Sequence, residues 1–228
     1  MGKKSDAIKS PQQTLSILRE ALQMISRISD ILPFLLAADL IIPFLLAPHC
    51  KGYSHLRQVM SVLGNSKAPL HLVYNIWLVL FGASVVVGAI ELYPALAEVS
   101  GAIAILMLSI LLIYAAGACI LSGFFSVGET KSLDTLPEKI HGYGSAIGFS
   151  LLTLAPLLSG FYFFKVSEQL LAALSFICFI LAAGFFALFI MADKPRYQGT
   201  AVSLEGLWQR LSLLSMYLPI MALCFRQQ

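Results

Sequence analysis

Residues Pro69–Ile90 read PLHLVYNIWLVLFGASVVVGAI, and this stretch decides the fold because it contains no Asp, Glu, Lys or Arg. A helix needs roughly 20 mostly apolar residues to cross the hydrocarbon core of a bilayer. The length and composition of the stretch are therefore typical of a transmembrane helix. It predicts an integral membrane protein, and the rest of the chain repeats the pattern.

The whole composition agrees with a membrane protein, since 58% of the residues are hydrophobic and 12% are charged, against about 45–50% and about 25% in soluble domains. The predicted spans 1 to 6 are Ile31–Ala47, Pro69–Ile90, Leu96–Phe124, Ile140–Phe164, Gln169–Ala192 and Gly206–Phe225. We therefore expect an all-α integral membrane protein in which residues 31–228 form one bundle of six transmembrane helices. The basic residues are spread over the chain without aromatic interleaving, so we expect no nucleic-acid partner.

Residues 1–30 form a basic N-terminal segment that contains a predicted amphipathic helix over residues 11–29. Ser10 can cap this helix, Pro11 suits its first turn, and apolar residues recur along one face. It either lies on the membrane surface or extends span 1 against the bundle. Lys3, Lys4 and Lys9 precede the first span, which predicts that both termini lie in the cytoplasm.

An even number of spans places the segments after spans 1, 3 and 5 on one membrane face. We call them connector one (residues 48–68), connector three (residues 125–139) and connector five (residues 193–205). All four histidines lie at this face, in connector one or at the start of spans 2 and 4: His49, His55, His71 and His141. Polar residues in the hydrocarbon region usually face the bundle interior or a water-filled cavity.

This face therefore predicts a polar pocket with an apolar floor. Its candidate ligand-binding residues are His71, Asn75, His141, Tyr143, Ser145, Gln209 and Arg210. His71 and Asn75 share a helix face at a spacing of four residues. Each of these residues also suits a second role at the end of a span, where polar side chains reach the lipid headgroups.

Asp39 is a predicted intramembrane acid near the middle of span 1. An unpaired carboxylate at that depth costs a few kcal/mol or more. Asp39 serves either in a proton or cation relay or, when protonated, in a hydrogen bond to a neighbouring span.

The histidines also allow a metal site, because neutral imidazole binds zinc and a metal-bound water can hydrolyse a substrate. The ligands of this alternative are His55, His71, His141 and Glu129. The chain has no HxxxH or HExxH pattern, so we expect no metal and no other cofactor.

Three further motifs carry a resemblance to a known family. The run YSHLRQVMSVLG at Tyr53–Gly64, the run IHGYGSAIGF at Ile140–Phe149 and the run GLWQRL at Gly206–Leu211 occur in this order. Together they resemble the small six-pass membrane proteins catalogued as domain of unknown function 998. The resemblance implies six spans in a cell membrane and brings no established activity.

Three functions follow from these observations. The first is a protein that binds or moves an amphiphile or lipid headgroup, with Arg210 as the ligand for an anion. The second is a metal-dependent membrane hydrolase that uses the histidines. The third is an accessory subunit whose polar face docks a membrane protein partner.

Overall fold

The computed structural model describes residues 27–125 and 133–227, and all elements below lie in these ranges. The longer helices are α1 (Arg27–Leu46), α2 (His71–Val99), α3 (Gly101–Tyr114), α4 (Leu136–Leu152), α5 (Ala155–Lys165), α6 (Gln169–Ala192) and α7 (Glu205–Arg226). Helix α3 continues through a π-helical segment, Ala115–Leu121, into a last turn, Ser122–Phe124. The described residues contain no β-strand.

Six helical segments of the described chain are long and apolar enough to cross a membrane. They are Ile28–His49, His71–Val99, Gly101–Phe124, Leu136–Lys165, Gln169–Ala192 and Glu205–Arg226. This confirms the predicted six-helix membrane protein. The predicted amphipathic helix over residues 11–29 lies outside the described residues except for its last three positions, which already belong to α1.

The predicted boundary between spans 2 and 3 is wrong, because α2 continues to Val99 and α3 begins only at Gly101. Pro94 lies inside α2 and does not end it. A proline removes one backbone hydrogen bond. Leu92 and Leu96, on either side of Pro94, are nonetheless buried in the core. Glu91 therefore lies within the helix, where its Oε2 accepts a hydrogen bond from the Ser29 backbone nitrogen at 2.7 Å.

Helix α7 is central to the bundle and packs against α1, α5 and α6. Helix α3 packs against α2 on one side and α4 on the other. Large side chains fill the space between these two groups, among them Phe81 of α2 and Met216 and Tyr217 of α7, each with at most 1% exposure. The polar ends of α2, α4 and α7 are thereby held around one core.

Span 4 is not one regular helix, because a two-residue turn at Thr153 and Leu154 separates α4 from α5. Pro156 is in the first turn of α5, where its missing N–H is tolerated, and the same residue prevents a regular helix across the junction. After the break α5 packs on α6 and α7, whereas α4 packs on α3 and its π-helical segment. In the described chain α4 has no extended packing with α6 or α7. The separation of α4 from α6 and α7 makes room for a cavity.

Glycines bring the backbones of α4 and the π-helical segment together. An added Cβ at Gly144 would lie 3.0 Å from the carbonyl oxygen of Gly117, so a larger residue would push the two helices apart. Small residues allow such close approach in membranes, where van der Waals packing holds helices together.

Candidate functional site

A cavity of about 340 Å³ lies at the end of the bundle where connectors one, three and five meet. Ser61 of connector one, Leu133 of connector three and Glu205 at the end of connector five all line it. The backbone nitrogen of Leu207 also donates to the carbonyl oxygen of Leu56 at 3.1 Å, which joins connector one to α7. The structure therefore supports the expectation that these connectors share one face.

Helix α4 supplies one wall of the cavity. Glu138, His141, Ser145 and Phe149 line it at intervals of three or four residues, so they form one face of the helix. Thr135 and Glu138 form a capping box that fixes the start of α4. The wall changes from polar to apolar with increasing distance from the connectors.

The cavity reaches deep into the span. Phe149 lies 13 residues after Leu136, the first residue of α4, which corresponds to about 20 Å along a helix. Asp39 also lines the cavity, and it lies seven residues before Leu46 at the end of α1, or about 10 Å. The inner part of the cavity is therefore at the depth of the hydrocarbon core.

The cavity opens to the side between α4 and α6. Ala146 and Ser150 of α4 and Ile190 of α6 all line it and are also exposed on the surface of the bundle. Phe186 and Phe189 complete the wall on α6. Because this opening lies between two membrane-spanning helices, it faces the lipid.

His141 and Ser145 are predicted ligand-binding residues that do lie in the cavity. His141 is 7% exposed, and its Nδ1 is 2.8 Å from the carbonyl oxygen of Phe125. A carbonyl only accepts, so Nδ1 carries the proton and Nε2 is the acceptor of the neutral ring. Ser145 shares a hydrogen bond of 2.9 Å with Ser122, whose own hydroxyl is 3.1 Å from the Gly117 carbonyl in the π-helical segment.

Gln209 also lies in the cavity, as predicted. Its side-chain oxygen accepts a hydrogen bond of 2.8 Å from the backbone nitrogen of Met60, and both residues line the cavity. This bond connects connector one to α7 at the cavity wall.

Asp39 is 3% exposed and is hydrogen-bonded to two neighbouring helices. Its Oδ1 accepts from the indole Nε1 of Trp77 on α2 at 3.1 Å, and its Oδ2 accepts from the hydroxyl of Tyr217 on α7 at 2.9 Å. The Tyr217 hydroxyl is in turn hydrogen-bonded to that of Tyr114 on α3. Tyr114 and Asp39 both line the cavity, so the two hydrogen bonds of the Tyr217 hydroxyl connect two points of its wall.

Arg210 is not in the lining of this cavity, and its donors contact connector one and its own helix. Its guanidinium donates to the carbonyl oxygens of His55 at 2.8 Å, Gln58 at 3.3 Å and Gly206 at 2.8 Å, and to the hydroxyl of Tyr53 at 2.7 Å. Its Nε is buried and has no partner in the described chain. In this structure Arg210 therefore positions connector one against α7.

Two titratable side chains of connector one surround Arg210. Burial raises the pKa of Tyr53 above its ordinary value of 10.0, although the charge of Arg210 acts in the opposite direction. Burial, and then the charge of Arg210, lowers the pKa of His55 below its ordinary value of 6.5. The ring of His55 stacks on Phe44 at a centroid distance of 4.2 Å. Both groups are therefore neutral at neutral pH.

The other predicted ligand-binding residues lie outside the cavity lining. His71 Nδ1 is 2.8 Å from the carbonyl oxygen of Ala68, and Asn75 donates to the carbonyl oxygen of Gly64 at 3.1 Å. These bonds attach the end of connector one to α2. Tyr143 is on the opposite face of α4 and is 60% exposed.

The candidate metal ligands that lie in the described residues do not converge on one point. His55 contacts Arg210, His71 bonds to the backbone before α2, and His141 lines the cavity. Glu129 lies outside the described residues. In residues 27–125 and 133–227 no group of three or more His, Cys, Asp and Glu side chains is placed to hold a metal ion.

Sequence reasoning missed several residues of the cavity wall. Tyr114 lies in the middle of an apolar span, and only the fold brings it to Asp39, through the hydroxyl of Tyr217. Glu138 could have been predicted, because it precedes His141 and Ser145 by three and seven residues and therefore lies on the same helix face. Phe186 and Phe189 could not, because α6 is apolar on all sides.

One family model, described as "Protein of unknown function (DUF998)", matches residues 35–226, which extend from the first turns of α1 to the end of α7. The match includes all three motifs of the resemblance noted above. No curated protein and no solved structure matches the chain.

Proposed function

Because the chain belongs to the DUF998 family of multi-pass membrane proteins of unknown function, we propose a function from the geometry of its cavity: it binds or moves an amphiphile. The headgroup occupies the polar part of the cavity, which extends from Glu138, His141 and Gln209 near the connectors inward to Asp39. The apolar chain passes between α4 and α6 into the lipid.

The observation that carries this proposal is the shape of the cavity together with the order of its lining. A ligand site is typically a cleft of about 300–1,000 Å³ with a few polar groups in an apolar wall. Here most of the polar groups are near the connectors, most of the aromatic and aliphatic groups lie deeper, and exposed Ala146, Ser150 and Ile190 mark a lateral opening. A water-soluble ligand would not need such an opening.

The geometry of the cavity gives less support to the two alternative functions. The hydrolase needs three convergent ligands, and His55, His71 and His141 point to different partners. The accessory subunit stays a prediction that makes no use of the cavity. Both termini in the cytoplasm would place connectors one, three and five, and with them the mouth of the cavity, on the non-cytoplasmic side.

The experiment compares amphiphiles retained by purified protein in a nonionic detergent, measured by native mass spectrometry. Ala146→Trp places an indole at the opening, where it fills space that the amphiphile would use. Ile147→Trp is the matched control, because Ile147 is 55% exposed and is not part of the lining. Retained amphiphile should decrease severalfold in Ala146→Trp and stay at the wild-type level in Ile147→Trp. Equal retention in both variants would contradict the proposal.

A further inference from the structure

The charges in the cavity wall are all of one sign. Asp39, Glu138 and Glu205 line the cavity, and no Lys or Arg of the described chain does. The nearest arginine on α7, Arg210, directs its guanidinium to connector one. A cavity with this lining attracts a cation and disfavours an anion.

Asp39 is the deepest of these carboxylates and the most strongly desolvated. It is 3% exposed, and its two partners, Trp77 and Tyr217, are neutral donors. No Lys or Arg of the described chain pairs with it. Neutral hydrogen bonds orient a buried carboxylate but do not neutralise its charge, so a proton or a bound cation would compensate it.

Aromatic rings surround the same space. Tyr74 and Tyr114 line the cavity together with Asp39, and Phe149, Phe186 and Phe189 line it from α4 and α6. The faces of such rings attract ammonium groups, most strongly where water is excluded. A carboxylate among aromatic rings is an arrangement that suits a cationic nitrogen.

We propose that the amphiphile has a cationic nitrogen headgroup, which pairs with ionised Asp39 in the cavity, and that a proton competes for the same carboxylate. This inference rests on the proposed amphiphile binding and adds the chemical class of its headgroup. The bound ammonium supplies a counterion that Asp39 does not find among the described residues. At low pH a proton takes its place, and the headgroup is released.

The titratable groups that face Asp39 come from three helices. Tyr74 lies on α2, Tyr114 lies at the end of α3, Cys119 lies in the π-helical segment that continues α3, and Tyr217 lies on α7. Phenols and thiols ordinarily keep their protons below about pH 8. Glu138, His141 and Glu205 are at the cavity mouth. A substitution at Asp39 alone therefore separates the effect of protonating Asp39 from the effect of protonating Glu138, His141 or Glu205.

Trp77 provides the readout, because its indole donates to Asp39 and the chain has only one other tryptophan, Trp208. In a Trp208→Phe background, the fluorescence of Trp77 is titrated with dodecylammonium, dodecyl phosphate and dodecyl glucoside in nonionic micelles. The cation should bind about tenfold or more tightly than the anion and the neutral probe, as a charge-assisted hydrogen bond implies. Its affinity should fall as the pH is lowered towards the pKa of the Asp39 carboxyl group, where a proton competes with the cation.

Asp39→Asn keeps the size and the acceptor for Trp77 but removes the charge. It should weaken dodecylammonium binding about tenfold or more, abolish the pH dependence and leave dodecyl glucoside unaffected. Equal affinities for the three probes, or a pH dependence that persists in Asp39→Asn, would overturn the headgroup assignment while the amphiphile proposal stands. If no dodecyl probe binds at any charge, the amphiphile proposal fails as well.

Discussion

The hydroxyl of Tyr217 on α7 donates a hydrogen bond of 2.9 Å to the carboxylate of Asp39 on α1. Both residues are almost completely buried, with 0% and 3% exposure. The bond therefore joins two helices through residues that are 178 positions apart in sequence. It also fixes one oxygen of Asp39 at the cavity wall.

Tyr217→Phe should destabilise the folded protein, because it removes a donor from a buried carboxylate. Hydrogen bonds to charged groups contribute about 1.5–3 kcal/mol to the free energy of unfolding. The measurement is chemical unfolding in detergent micelles. Tyr143→Phe is the control, since Tyr143 is 60% exposed and should lose almost nothing. Equal stability of the two variants would show that the Tyr217 bond contributes nothing.

The sequence predicted the bundle because length and apolar composition are local properties of each span. It predicted His141, Ser145 and Gln209 for the cavity because polar residues within apolar spans usually face the bundle interior or a water-filled cavity. It could not predict the partners of Asp39. Its partners Trp77 and Tyr217, and Tyr114, which bonds to Tyr217, come from three different helices, and only the packing of the bundle brings them together.

Arg210→Lys should loosen connector one. Arg210 donates to the carbonyl oxygens of His55 and Gln58 and to the Tyr53 hydroxyl, and a single ammonium cannot reproduce this planar set of bonds. We expect faster trypsin cleavage after Arg57, measured by mass spectrometry of the fragments. Arg196→Lys is the control, because Arg196 is exposed in connector five. Unchanged cleavage in Arg210→Lys would mean that other contacts hold connector one.

The position of Arg210 also shows where sequence reasoning reached its limit. An arginine at the start of an apolar helix suits an anionic ligand, a lipid headgroup or a backbone turn equally well. Which of these roles Arg210 takes depends on Gly206, one turn earlier. Because Gly206 has no Cβ, connector one can lie on α7 and bring its carbonyl groups to the guanidinium of Arg210.

Cys50 reports the orientation of the protein, because it is a partly exposed cysteine in connector one. With both termini in the cytoplasm, connector one lies outside the cell. A membrane-impermeant maleimide should then label Cys50 on intact cells, as measured by intact-protein mass spectrometry. Cys50→Ser should abolish the labelling, whereas labelling only after permeabilisation would indicate the reverse orientation.

Acidification should destabilise the contact between His55 and Arg210. The pKa of His55 is lowered in the folded protein, so below about pH 6.5 the unfolded chain binds more protons than the folded chain. The free energy of unfolding therefore falls as the pH decreases from 6.5 towards the lowered pKa and then levels off. Thermal unfolding at about pH 7.5 and about pH 5 tests this. His55→Gln should show a smaller difference between the two pH values, and an unchanged difference would contradict the assignment.

Gly206→Ala should separate connector one from α7, because an added Cβ would collide with the carbonyl oxygens of His55 and Gln58. Both are backbone atoms and cannot rotate away, so we expect a loss of about 1–3 kcal/mol in the free energy of unfolding. Gly184→Ala in α6 is the matched control, since no atom lies within 4 Å of its added Cβ. In Gly184→Ala the free energy of unfolding should increase by up to about 1 kcal/mol, because alanine has the higher helix propensity. Opposite signs in the two variants would identify the contact between connector one and α7, rather than glycine as such, as the cause. Equal changes would contradict the close approach at Gly206.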